Sequence, residues 1–138
     1  MKKIKFLASQ FIATKWEGPE AKAKFCNQFM KFVESDFKIE QFPKWFYTRL
    51  SMTFGHIAHY NMNGFYETFF TNTNNQAYFI QQTLQYGCWG DPGYTYCDAE
   101  KAIQEWLREN DVLGKLVNKD LTEKESVERA QYEQLKAK

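Results

Sequence analysis

Aromatic and charged residues are distributed very unevenly along this chain. Residues 41–96 contain 16 of the 25 aromatic side chains but only four charged ones, whereas residues 98–138 contain 18 charged side chains and two aromatic ones. Large rings remove much apolar surface from water when they are buried. We therefore expect residues 41–96 to lie mostly in the interior or to face a partner or ligand, and the last block to be largely solvated.

The periodicity of the apolar residues predicts a mainly α protein. A length of 138 residues suits one hydrophobic core, so we expect residues 1–138 to form a single globular domain. Apolar side chains recur at helical spacing in several segments, which predicts a compact bundle of about six helices around an aromatic-rich core. The first predicted helix covers about residues 2–15, and the others begin at Pro19, at Pro43, after Thr73, after Asp98 and after Thr122.

Two segments also suit β-strands. Ile4 and Phe6 alternate with polar residues near the start of the chain, and residues 65–70 are rich in phenylalanine and tyrosine. The alternative fold is therefore an α+β protein with a small sheet formed by residues 3–13 and 65–70.

The charged block ends in a segment that resembles the start of a helix. Thr122-x-x-Glu125 matches a capping box, in which the threonine and the acid bond to free backbone N–H groups. Within residues 119–138 the apolar stripe is thin, comprising Val127, Ala130 and Leu135. We expect a charged C-terminal helix that is peripheral to the core or mediates self-association, and a homodimer.

Charge and cysteine content exclude several classes of protein. The chain has 18 basic and 17 acidic residues and a formal net charge of +1, so a broad phosphate-binding surface is not expected and nucleic acid is an unlikely partner. No apolar run reaches the length of about 18 residues that a membrane span needs. Three cysteines do not make a disulfide scaffold, which favours the reducing cytoplasm.

The helix predicted after Pro43 carries the most suggestive polar residues. Arg49, His56 and Tyr60 share the side opposite its apolar stripe, and His59 lies close to His56. An arginine can hold a phosphate or carboxylate with two hydrogen bonds, and histidine can exchange a proton near neutral pH. These residues predict a small anion-binding or acid–base site. The competing interpretation is a solvated polar face or histidines that are hydrogen-bonded in the core.

Two further features could contribute to such a site. Glu67 is the only acidic residue between positions 41 and 90, and aromatic residues flank it. The segment 87–97 is rich in glycine and aromatic residues, so its backbone N–H groups could bind an anion, although it could equally be a tight connection between helices. The candidate ligand-binding residues are Arg49, His56, His59, Tyr60, Glu67, Trp89 and Asp91.

A zinc site is a further interpretation of the histidines. His56 and His59 with Cys88 and Cys97 would supply two nitrogen and two sulfur ligands, a set that zinc accepts. The cysteines are nine positions apart, whereas paired zinc ligands are usually separated by two to four residues. We therefore predict no metal and no cofactor.

The sequence favours a binding protein over an enzyme. No motif is specific enough to assign a family or an activity. We expect a small interaction module that uses the low-charge block 41–96, with a protein partner or a second copy as its ligand. The alternative is a small hydrolase or transferase that acts on a phosphorylated or acidic small molecule through its histidine, arginine and glutamate side chains.

Overall fold

The computed structural model describes residues 5–53, 68–85 and 90–136. Helices account for 74% of these residues and no strand occurs among them, which confirms the prediction of a mainly α protein. None of the described helices combines the length and the apolar character that crossing a bilayer requires. The α-helices are α1 (Pro19–Glu34), α2 (Lys44–Thr53), α3 (Thr73–Gln85), α4 (Cys97–Glu109) and α5 (Val112–Lys136), and 3-10 turns occur at Ala8–Gln10 and Ile39–Gln41.

Helix α1 begins where the sequence predicts and packs against both α2 and α4. Pro19 is at its first position, where the fixed backbone torsion of proline suits a helix and its missing N–H is not needed. Phe25, Phe29 and Phe32 are completely buried. These rings lie at intervals of three and four residues, so they share one face of α1 and line the core.

The core is built around the ring of Phe32. Its centroid lies 5.0–6.5 Å from those of six other phenylalanines among the described residues, and five of these contacts are edge-on, an arrangement that aromatic rings prefer. Four of the six rings belong to the block 41–96, so its described phenylalanines serve the interior, as predicted. The six partners are Phe29, Phe37, Phe42, Phe46, Phe70 and Phe79.

The chain reverses after α1 through two residues with left-handed backbone torsions. Asp36 has φ 64° and Phe37 has φ 61°, a conformation that costs about 1–2 kcal/mol per residue for side chains other than glycine. Burial of the Phe37 ring against Phe32 and Phe70 offsets this cost, with centroid distances of 5.1 and 5.7 Å. Core packing therefore holds the turn in place.

The N-terminal segment differs from both sequence-based predictions. A helix over residues 2–15 is wrong for the described part, because only Ala8–Gln10 is helical. The alternative sheet is wrong for residues 5–13 and 68–70, which contain no strand. The side chain of Asn27 on α1 accepts a hydrogen bond from Phe6 N (2.8 Å) and donates one to Phe6 O (3.0 Å). These bonds satisfy the backbone N–H and carbonyl groups of Phe6 without a regular element.

The last helix begins ten residues before the predicted cap. Asp111, with φ 47°, separates α4 from α5, and Thr122 lies inside α5. The Thr122 hydroxyl donates to the carbonyl of Asn118 at 2.9 Å, so it bonds back along the helix instead of capping it. The capping-box prediction is wrong because threonine can satisfy its hydroxyl in either way.

Helix α5 runs antiparallel to α3. The hydroxyl of Thr73, at the start of α3, donates to Glu123 at 3.0 Å, and Leu84, near the end of α3, lies beside the first turns of α5. Residues 121–135 are all exposed. The second half of α5 therefore leaves most of its surface to solvent.

Candidate functional site

Two of the seven predicted site residues lie in the described part of the chain. Arg49 is in α2, and Asp91 precedes the turn that leads into α4. The structure does not describe five of them, so the acid–base site remains a prediction. The residues outside the described ranges are His56, His59, Tyr60, Glu67 and Trp89.

The zinc hypothesis also depends mainly on residues that the structure does not describe. His56, His59 and Cys88 lie outside the described residues, and Cys97 is buried at the first position of α4. Among residues 5–53, 68–85 and 90–136, no group of three metal-ligating side chains comes together.

Arg49 is held between an acid and an aromatic ring. Its Nη2 donates to Glu17 Oε1 at 2.8 Å, and its guanidinium carbon lies 4.4 Å from the centroid of the Tyr96 ring. The Tyr96 hydroxyl donates to the same glutamate oxygen at 3.1 Å. The positive charge of Arg49 is therefore already paired, while its Nε–H is buried without a hydrogen-bond partner in the described part of the chain.

Asp91 shapes the turn that follows it. Its Oδ1 accepts a hydrogen bond from Gly93 N at 2.8 Å, and its carbonyl accepts from the N–H groups of Tyr94 and Thr95, both at 2.9 Å. These are backbone N–H groups that could otherwise bind an anion. In this structure they are directed at Asp91.

An ion pair that the sequence did not predict lies beside this turn. Lys22 on α1 is completely buried, and its Nζ lies 2.7 Å from Asp98 Oδ1 and 2.7 Å from the carbonyl oxygen of Pro92. Asp98 was predicted to cap α4, but that helix begins at Cys97, so the carboxylate lies in its first turn. The signal in the sequence was weak: Lys22 lies one turn before Cys26, on the side of α1 that carries the apolar residues.

Asp98 also holds the N-terminal segment. Its Oδ2 accepts from Ile12 N at 3.0 Å, and the backbone of Lys15 donates to Gly93 O at 2.8 Å. The bond from Tyr96 to Glu17 adds a third connection. Residues 11–17 and 90–97 thus form one continuous surface, which we call the loop surface.

Two large aromatic side chains project from the loop surface. Trp16 is 71% exposed and Tyr94 is 57% exposed, and their rings meet edge-on with centroids 6.0 Å apart. The Thr14 hydroxyl accepts from the backbone N–H groups of Trp16 and Glu17. Both aromatic residues are therefore exposed although hydrogen bonds fix the backbone that carries them.

Two buried side chains that can lose a proton, Tyr96 and Cys26, stay protonated near this surface. Burial raises the pKa of the Tyr96 phenol above its ordinary value; Arg49 opposes the shift and Glu17 adds to it. Burial also raises the pKa of the Cys26 thiol, and the charge of Asp98 adds to that effect. Tyr96 therefore acts as a hydrogen-bond donor at neutral pH, and Cys26 is not a thiolate nucleophile.

A separate groove of about 560 Å³ runs along the outer side of α1. Three lysines and one glutamate contribute to its lining, which gives it a positive charge. The amide oxygen of Gln28, a residue of the same lining, is buried without a hydrogen-bond partner among the described residues. Its charged residues are Lys5, Lys24, Lys31 and Glu34.

No protein-family model, curated protein or solved structure matches this chain.

Proposed function

We propose that this chain is a protein-binding module and that the loop surface is its recognition site. The observation that supports the proposal most directly is the exposure of Trp16 and Tyr94 on a backbone fixed by hydrogen bonds. Tryptophan, tyrosine and arginine are the residues most enriched at the centres of protein interfaces. An ordered loop also loses little conformational freedom on binding, so more of the contact energy appears as affinity.

The polar side chains beneath the aromatic pair suit this role. Arg49 and Glu17 are paired and partly exposed, with 18% and 29% of their side chains accessible. Their pairing avoids burial of a lone charge when a partner covers the surface. The partner would bury the two rings and leave the ion pair beneath them.

The test compares two single substitutions at exposed aromatic residues. The full chain would capture proteins from an extract of its source organism, and the captured proteins would be quantified for wild type, Trp16→Ala and Tyr78→Ala. Tyr78 lies on α3 and is 49% exposed, so it controls for the loss of any surface ring. We expect Trp16→Ala to deplete a specific partner that Tyr78→Ala retains.

The decisive measurement is the Kd of the purified partner for wild type and for each variant. A central interface residue contributes about 2 kcal/mol or more, so Trp16→Ala should raise Kd by about 30-fold or more. Thermal unfolding should change little in either variant, because both side chains are exposed. Equal affinities for wild type and Trp16→Ala would refute the loop surface as the recognition site.

A small acidic ligand is the second candidate, and the lysine-lined groove along α1 favours it. Three lysines against one glutamate give the groove an excess of positive charge, so it suits a small anion. Citrate titrated into labelled protein should shift the amide resonances of Asn27, Gln28 and Lys31 in two-dimensional NMR spectra. Unchanged resonances for these residues would exclude this kind of ligand from the groove.

A further inference from the structure

Helix α5 carries an apolar stripe that no described residue covers. Val117, Leu121, Tyr132 and Leu135 are between 43% and 69% exposed. Helical geometry places these residues on one side of α5, with Lys124 and Glu128 between them. The side that packs on the body of the protein is a different one, because it carries Leu116, which is buried, and Glu123, which bonds to Thr73.

The order of residues along this stripe is nearly symmetric about position 126. Val117 and Leu135 lie nine positions on either side of it, and Lys124 and Glu128 lie two positions on either side. Leu121 and Tyr132 lie five and six positions away. An antiparallel copy of the same stripe would therefore place apolar ends against apolar ends and opposite charges against each other.

The charges also select the direction of pairing. In an antiparallel pair, Lys124 of each copy meets Glu128 of the other, which forms two equivalent ion pairs. In a parallel pair, each charge would meet its own like charge, which is destabilising. Lys124 bonds to Asp120 within α5 at 3.0 Å, but the lysine side chain is 57% exposed, so the pair has a small energy that does not prevent a new contact.

The body of the protein offers additional apolar surface at one end of the stripe. A groove of about 530 Å³ is lined by Val117, Leu84, Leu107 and Leu113, among others. Antiparallel pairing would bring Leu135 of the second copy to the mouth of this groove. The second copy could then bury surface beyond that of the two helices alone.

We propose that α5 pairs in antiparallel fashion with α5 of a second copy of this chain, with a twofold axis near residue 126. The contact consists of Val117 against Leu135, Leu121 beside Tyr132 and Lys124 against Glu128, each repeated by symmetry. This inference does not depend on the loop surface, since none of its residues lies on α5.

A charge-swap series on the full chain tests the pairing. The dimer dissociation constant would be measured by sedimentation equilibrium for wild type, Lys124→Glu, Glu128→Lys and the double variant. Each single reversal creates two like-charge contacts and should raise the constant by at least about tenfold. The double variant restores opposite charges and should return to within a few-fold of wild type. Glu133→Lys is the matched control, because it makes the same charge change on the other side of α5 and should have little effect.

Disulfide formation tests the direction. A mixture of the Val117→Cys and Leu135→Cys chains should link covalently between copies, with the wild-type chain as the control for the native cysteines. Leu135→Cys alone should not link, because its two copies would lie about 27 Å apart at opposite ends of the pair. Linked Leu135→Cys chains, a strict monomer at high micromolar concentration, or a double variant no tighter than the single reversals would each overturn the proposal. A strict monomer would leave the stripe to a different protein.

Discussion

Substitution of Lys22 by methionine should destabilise the protein more than a change at any exposed lysine. Methionine keeps the length and apolar stem of the side chain but removes the ammonium group. Lys22 is completely buried, and its Nζ bonds to Asp98 and to the carbonyl of Pro92, both at 2.7 Å. The substitution therefore leaves a carboxylate and a carbonyl without their donor.

The magnitude follows from the surroundings of Asp98. Removal of one partner from a buried ion pair costs about 3–5 kcal/mol. Asp98 retains hydrogen bonds from Ile12 N and Ala99 N and is 21% exposed, which places the expected loss near the lower limit. We expect Lys22→Met to lower the free energy of unfolding by about 3 kcal/mol and Tm by about 12 °C.

Urea and thermal unfolding followed by circular dichroism would measure this effect. Lys31→Met is the matched control, because Lys31 lies on the same helix but is exposed, and its loss should change the free energy of unfolding by less than about 0.5 kcal/mol. Replacement of both partners, Lys22→Met with Asp98→Asn, should recover at least about 1 kcal/mol, since the unpaired carboxylate is gone. A Lys22→Met protein within 1 kcal/mol of wild type would refute the argument that this ion pair joins α1 to α4.

Two further substitutions test the core and the Tyr96 hydroxyl by urea unfolding. Phe32→Ala should lower the free energy of unfolding by about 3–5 kcal/mol because Phe32 is completely buried. Phe42→Ala should lower it clearly less because Phe42 is partly exposed. Equal losses of stability in the two variants would contradict a core centred on Phe32. Tyr96→Phe should cost about 1 kcal/mol at neutral pH through the lost bond to Glu17. Burial raises the pKa of Tyr96 above its ordinary value of 10.0, so the folded state favours the protonated phenol, and stability should fall as the pH rises past 10.0. The fall should be smaller in Tyr96→Phe, and identical pH profiles for the two proteins would contradict the assignment.

Much of the architecture could be predicted from local patterns. Pro19 and the apolar spacing after it gave the start of α1 and the face that it buries, and the segment beginning at Thr73 is helical as expected. Where local patterns allowed two outcomes, prediction failed. Residues 5–15 have helical periodicity, but Asn27 and Asp98 on other elements bond to the backbone of Phe6 and Ile12. Thr122 can bond within a helix as readily as it can cap one.

The candidate site could be predicted much less well. Local patterns single out Arg49, but its partner Glu17 is 32 residues away in the chain, and no pattern in the sequence pairs them. Tyr94 and Tyr96 occur in the same turn, yet the first is exposed and the second is buried. Which of the two faces solvent depends on α1 and α2, which pack against one side of that turn.

The sequence by itself determined the helical class and the aromatic interior, because both follow from spacing along the chain and from the free energy of burying large rings. Tertiary structure alone decided that Lys22 is buried against Asp98, 76 residues away, and that Trp16 meets Tyr94. The physical reason is that a buried charge and an exposed ring are both unfavourable in isolation. Each is tolerated here because distant segments supply its hydrogen bonds or fix its backbone, and such contacts leave no periodic trace in the sequence.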